Sequence, residues 1–193
     1  GGNIPPSYGP DGSACEDLNF GLSPDFFLST GQEGNTAFLG RLDLDGFTGR
    51  GIQVQQAHYK FSVQWTNLQG EVWMTLAPIL DDQADWQGGE GTAHHVIGGE
   101  SSFTYRSYPD LWGEGGVMAA VDVSKQLDGQ WIEGDGSFEV EVPYGRVQGW
   151  LDEEGRFDPG FLMWSDVAQP FGFYVGTAES PSPPALWVQG CLE

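Results

Sequence analysis

The stretch Ala57–Trp65, "AHYKFSVQW", limits what this chain can fold into more than any other segment. Ala57, Tyr59, Phe61, Val63 and Trp65 share one parity, and His58, Lys60, Ser62 and Gln64 share the other. That is the period of two of a strand with one buried face. A helix would spread the same apolar side chains around its circumference, so the segment is a strand and needs a sheet to bury its face. Upstream, Ile52 and Val54 fall on the opposite parity, which predicts either a bulge near Gln55 and Gln56 or a turn between two strands. Downstream, "NLQG" reads as a turn into "EVWMTLAPIL", where Val72, Met74 and Leu76 alternate with Trp73 and Thr75. The two segments are predicted to pair as a hairpin.

Alternation recurs further along. Val117, Ala119, Val121 and Val123 form one face of a predicted strand, and Phe138, Val140 and Val142 another, with Ser137, Glu139 and Glu141 toward water after a Gly-Asp-Gly turn. "RVQGWL", "FLMWSDV", "FGFYVGTA" and "ALWVQGCLE" read as further short strands, the last preceded by the stiff spacer "SPSPP". "FFLST" and "AFLGRLDLDGF" add weaker strand signals, and a single helical turn is expected around "SPDFFL" or "DVSKQLDG". Many short strands separated by turn signals, in 193 residues containing 30 glycines and 12 prolines, predict one all-β domain. The expected architecture is a two-sheet antiparallel sandwich with jelly-roll or Greek-key connections, carrying one long Gly-rich aromatic excursion.

The domain reading assigns residues 1–14 to an extended lead and residues 15–193 to the sandwich. Cys15 and Cys191, one near each end, are expected to close it as a disulfide. In the chain-entropy model a loop this long contributes about 5 kcal/mol before strain. Such a clasp implies an oxidising compartment and hence a secreted or extracellular protein; the alternative is a pair of buried free thiols in a cytosolic one.

Charge narrows the partners. Against 28 Asp and Glu the chain has 7 Lys and Arg, a formal net charge of -21. Such a surface repels phosphate backbones and anionic headgroups, so neither nucleic acid nor membrane is an expected partner. No segment approaches the roughly 18 consecutive apolar residues of a membrane-spanning helix. The carboxylates are dispersed, which suits a solvated surface; some are candidates for cation binding.

Residues 86–116 connect two well-patterned segments and far exceed a hairpin turn. A disordered connection would seldom hold so many rings, so an ordered excursion is expected. Trp86, Tyr105, Tyr108 and Trp112 could present flat faces to a sugar while Arg106, Asp110 and Glu114, with Asp85 and Glu90, offer hydrogen bonds to hydroxyls. The competing role for these rings is to seal one end of the fold. If they form a site, Trp112→Ala should weaken binding and leave the melting temperature nearly intact. Trp73, Trp150 and Trp164 lie on the parity opposite their more apolar neighbours, which makes an outward-facing tryptophan platform a second candidate.

Metal signals are thin. His94 and His95 are adjacent, so in an extended segment they point to opposite faces, and with His58 they match no ligand spacing of a transition-metal site. Calcium is better served by "DDQAD", with Asp81, Asp82 and Asp85, by Asp43 and Asp45, and by Asp152, Glu154 and Asp158. The first group is the preferred candidate for one structural calcium; otherwise no cofactor is expected. No nucleophile elbow, phosphate loop or Cys–His dyad is present, and no catalytic residue is assigned.

In general format the chain resembles the jelly-roll carbohydrate-binding modules. The likeness is one of architecture, and no site residue is taken from it. The expected function is a secreted, non-catalytic module that binds polysaccharide or another glycan. The alternatives are a structural subunit of an extracellular assembly, self-associating by strand addition through "GGNIPPSYGP", and a glycoside hydrolase or metal-dependent enzyme.

Overall fold

The computed structural model describes residues 18–19, 25–30, 37–41, 44, 47–67, 69–89, 94–95, 97–152, 160–165, 171–177 and 179–192. In chain order the elements are β1 (Leu18–Asn19), β2 (Asp25–Thr30), β3 (Phe38–Gly40), β4 (Ile52–Thr66), β5 (Glu71–Pro78), β6 (His94–His95), β7 (Tyr105–Ser107) and β8 (Asp110–Leu111). They continue with β9 (Leu127–Ile132), β10 (Ser137–Glu141), α1 (Tyr144–Asp152), β11 (Phe161–Trp164), β12 (Phe171–Gly176) and β13 (Ala185–Leu192). Among the described residues the protein is all-β apart from α1 and short 3-10 turns. The lead 1–14 and Cys15 lie outside the described residues, as do Asp43, Asp45, Glu90, Glu154 and Asp158.

The alternating segment becomes the spine. β4 runs unbroken for 15 residues and belongs to a nine-stranded antiparallel sheet in the order β2-β12-β4-β10-β9-β5-β11-β3, with β13 also paired to β4. β10 lines one edge of β4, Ser137 opposite Ser62 through Glu141 opposite His58. The other edge is shared: Tyr174 and Val175 of β12 pair with Trp65 and Val63, and β13 resumes with Ala185 opposite Lys60. The parity break at Gln55 and Gln56 is a bulge within one strand. Gln189 sits opposite Gln56 and Gly190 opposite Val54, which leaves Gln55 as the extra residue.

Three sequence expectations change. β4 and β5 do not pair; the β9–β10 hairpin inserts between them, because alternation specifies which face a strand buries and is silent about its neighbour. Val117–Val123 is not a strand. Gly115 and Gly116 adopt positive φ and lead into a 3-10 turn, Gly116–Ala120, that buries Val117 and Ala120 at its three-residue period. Only Val121 forms a bridge, to Ile79. "RVQGWL" lies in α1, where Val147, Trp150 and Leu151 are buried at helical spacing and the Pro143 carbonyl accepts from Arg146 N–H. Of the two places offered for the single helical turn, "DVSKQLDG" contains a 3-10 turn at Val123–Lys125, whereas residues 25–28 of "SPDFFL" lie in strand β2.

The sheet curls around its inner face. In its order β4 and β11 are separated by β10, β9 and β5, yet the Phe161 ring lies 5.0 Å from that of Tyr59 and 5.7 Å from that of Phe61. The inward residues Val72, Met74, Leu76, Trp131, Phe138, Val140 and Met163 close this core with the buried side of α1. Gln148 of α1 finishes the part of β4 that β10 leaves uncovered: its Oε1 accepts from Val54 N–H at 2.8 Å and its Nε2 donates to the Ile52 carbonyl at 2.9 Å. A side-chain amide there takes the place of a neighbouring strand's peptide. Among the described residues no helix is long and apolar enough to cross a membrane.

Candidate functional site

The outer face of the sheet has two halves. Over β3, β11 and the end of β5 lies the long excursion, which leaves the sheet at Leu80 and returns at Ala120, where Leu80 N–H donates to the Ala120 carbonyl. Its Trp86, Trp112, Val117, Ala120 and Val121 pack on Ala77, Ile79 and Leu162 of the sheet, with Leu39 and Trp164 against them, as a second core. Trp86 is 4% and Trp112 5% exposed. The Arg41 guanidinium lies 4.6 Å from the Trp86 ring centroid, and Trp112 Nε1 donates to the Ser102 carbonyl at 2.8 Å. These two rings seal the fold.

The remaining excursion residues have mixed surroundings. Tyr105 and Tyr108, on and just after β7, are half-buried and meet edge to face at 4.9 Å. Arg106 places Nε 3.3 Å from Asp85 Oδ1 and Nη1 3.4 Å from Gln83 Oε1. Asp110 and Glu114 are exposed. Asp81 and Asp82 stand exposed on a one-turn 3-10 helix, while Asp85 is engaged by Arg106. Among the described residues no three His, Cys, Asp or Glu side chains come together as a metal site. Asp152 ends α1 and accepts from Gln148 Nε2 at 2.6 Å. His94 and His95 form the short strand β6 against β1, and His58 stands on β4.

The other half of the outer face, across β5, β9, β10, β4 and β13, is open among the described residues. Register aligns two rows on it. One runs Trp73, Gln130, Glu139, Lys60, Ala185. The other brings Trp187 opposite His58 and His58 opposite Glu141 at one end, and Asp128 opposite Thr75 and Thr75 opposite Trp164 at the other. Trp73 is 53% and Trp187 46% exposed, and they stand at opposite sides of this field. Trp187 stacks on His58 with centroids 4.7 Å apart and planes inclined by 20°. Lys60 Nζ and His58 Nε2 each lie 3.3 Å from a different oxygen of Glu139. Gln130 Nε2 donates to Glu71 at 2.6 Å, and Thr75 Oγ1 to Asp128 at 3.1 Å. The result is a hydrogen-bonded polar field flanked by two flat apolar rings.

Of the tryptophans that sequence parity placed outward, Trp73 stands in solvent, Trp164 is partly covered by the excursion, and Trp150 is buried on α1. Trp187 was missed, although its alternation with Leu186 and Val188, which pack on the inner core, marks it as outward. A further exposed pair, Trp65 and Tyr174, faces across β4 and β12 with centroids 5.9 Å apart. Beside β13 runs an apolar groove of about 490 Å³, walled by Leu44, Phe47, Ile52, Leu151 and residues 184–188. Cys191, at the end of β13, is exposed, and Cys15, its expected disulfide partner, lies outside the described residues. Compared with protein-family models, curated proteins and solved structures, the chain matches none of them.

Proposed function

We propose that this chain is a secreted, non-catalytic domain that binds a glycan on the open half of its outer sheet face. The curled sheet takes the part of a jelly-roll sandwich here, with β4 and β10 as one layer and β5 and β11 as the other. One observation carries the reading: Trp73 and Trp187 stand in solvent at either side of a field of hydrogen-bonding side chains held in sheet register. What distinguishes these two rings from single exposed hydrophobics is that they bracket registered rows of hydrogen-bonding side chains on the same sheet face. Sugars suit them, because apolar C–H faces stack on indole while hydroxyls bond to carboxylates and amides. Trp86 and Trp112 serve the scaffold.

The test is a panel of soluble polysaccharides titrated against the protein with tryptophan fluorescence as readout. Trp73→Ala and Trp187→Ala should each weaken binding about tenfold, roughly 1.4 kcal/mol. Their folding stability should stay within about 0.5 kcal/mol of wild type, as for other exposed positions. If no polysaccharide changes the fluorescence, or both variants bind like wild type, the reading fails.

A second reading, a self-associating subunit, is favoured by β13, whose second edge has no partner strand among the described residues and borders the apolar groove. It predicts concentration-dependent sedimentation that is lost on removing residues 1–10. A monomer at every concentration sinks it.

A further inference from the structure

We infer that the glycan held on the open face is a linear chain of several sugars carrying free amino groups, a glucosamine-type polysaccharide and not a neutral or uronate-bearing one. The inference rests on the glycan-binding reading above and adds to it the length and the charge of the ligand.

Length follows from the sheet order. Trp73 on β5 and Trp187 on β13 are separated by β9, β10 and β4, four strand-to-strand steps of about 4.8 Å, or roughly 19 Å measured along the sheet. Both rings flank one continuous field, so a ligand that uses them together is longer than a mono- or disaccharide. It also runs across the strands, along the registered rows.

Charge follows from which groups on that face are already neutralised. Its cationic side chains, Lys60 and the ionisable His58, are both spent on the single carboxylate of Glu139. Among the described residues, Glu71 and Asp128 bond to neutral partners, the Gln130 amide and the Thr75 hydroxyl. Glu141, beside His58 in the register and two residues from Glu139 on the same face, is exposed and has no charged or hydrogen-bonding side-chain partner among the described residues. The field therefore has a surplus of uncompensated carboxylate within a chain of net charge -21. An anionic chain is repelled by it, and a neutral chain gains only hydroxyl hydrogen bonds. A chain of ammonium groups meets carboxylates at close range, where charge-assisted hydrogen bonds are about twice as strong as neutral ones. The flanking indoles add to this, since tryptophan is the best aromatic partner for a cation.

Isothermal titration of the full chain with glucosamine oligomers, with N-acetylglucosamine oligomers of the same length and with galacturonate oligomers tests the inference, at mildly acid pH and at low and high salt. The glucosamine oligomer should bind at least about tenfold more tightly than its acetylated counterpart at low salt, with the preference shrinking as salt screens the exposed charges. Glu141→Gln should lower glucosamine affinity several-fold and leave acetylated-oligomer binding unchanged. Trp187→Ala should weaken both, which separates a site from diffuse attraction between a polyanion and a polycation. Equal or tighter binding of the acetylated or galacturonate oligomer overturns the amine assignment and leaves glycan binding standing. Glucosamine binding that ignores Trp187→Ala overturns the assignment as non-specific. Silence of every oligomer overturns both readings.

Discussion

Trp73, Thr75, Ala77 and Ile79 share one parity and one face at β5, yet Trp73 stands in solvent and Ile79 is sealed. Nothing in the strand itself changes between them. What changes is the cover: the excursion from Leu80 to Ala120 folds back over the Ile79 end and stops short of Trp73. The two halves of one sheet face have therefore been put to different uses. One half has become a second core that fixes the fold, and the other is left as a polar field with its aromatic rings unburied. Side chains that look alike in sequence, Trp112 and Trp73, should then answer to different measurements.

The largest effect belongs to the covered half. Trp112→Ala removes a ring that is buried against the second core and cuts its hydrogen bond to the Ser102 carbonyl. Loss of about 3–5 kcal/mol is expected from urea denaturation, the range for deleting a buried aromatic. This reverses the outcome expected for a ring that belongs to a binding loop. Affinity of the molecules that remain folded should be unchanged. A loss below about 1 kcal/mol would show that the excursion is loosely attached and that the contrast between the halves is overstated.

Next comes Gly160, which sits beneath the edge of the same cover. Its φ is +93°, and a Cβ there would lie 2.6 Å from the Trp86 ring and 2.8 Å from the Gly40 carbonyl oxygen. Gly160→Ala combines a left-handed backbone penalty with overpacking, together about 2–4 kcal/mol. Because the intruding atom pushes on Trp86, near-ultraviolet circular dichroism should change along with the urea midpoint. If stability falls and the aromatic signal does not move, the strain is confined to the backbone, and the cover tolerates displacement better than its packing indicates.

Legibility in the sequence followed the same division. The face that the spine buries was readable, because parity is a local property: Ala57, Tyr59 and Phe61 are buried as alternation predicts, as are Phe138, Val140 and Val142, and of the two alternatives at Gln55 the bulge is the one formed. The pattern fails at the far end, where Trp65, expected on the buried face, is 51% exposed because β4 there runs past Ser62, the last residue that β10 pairs. Partnership was not readable, since the β9–β10 hairpin enters between β4 and β5 through contacts distant in sequence. Short apolar runs misled where two periods fit the same residues. Val117 and Ala120 satisfy a 3-10 turn as well as Val117 and Ala119 satisfy a strand, and Val147, Trp150 and Leu151 needed only Pro143 ahead of them to start a helix. For the candidate site, Trp73 was recognisable by parity alone. The roles of Trp86 and Trp112 were not, because burial under a loop is decided by what the loop folds onto.

The smallest effect lies at the seam between the two halves, where Asp122 follows the Val121–Ile79 bridge and its backbone N–H bonds to the Pro78 carbonyl. Its carboxylate accepts from Ser124 Oγ and from Ser124 N–H, and it lies 2.9 Å from Lys125 Nζ. The Ser124 hydrogen bonds, and then Lys125, hold its carboxyl below the ordinary value of 3.8. A depressed carboxyl adds stability above its unfolded pKa and loses it as pH falls through the lower, folded value. Asp122→Asn keeps an acceptor oxygen but carries no titrating charge. Measured by urea midpoints, the deficit of this variant relative to wild type should therefore be constant above about pH 5 and shrink below about pH 4. A deficit that stays flat to strong acid would mean that Asp122 closes the seam through the shape of its turn alone, with its charge contributing nothing.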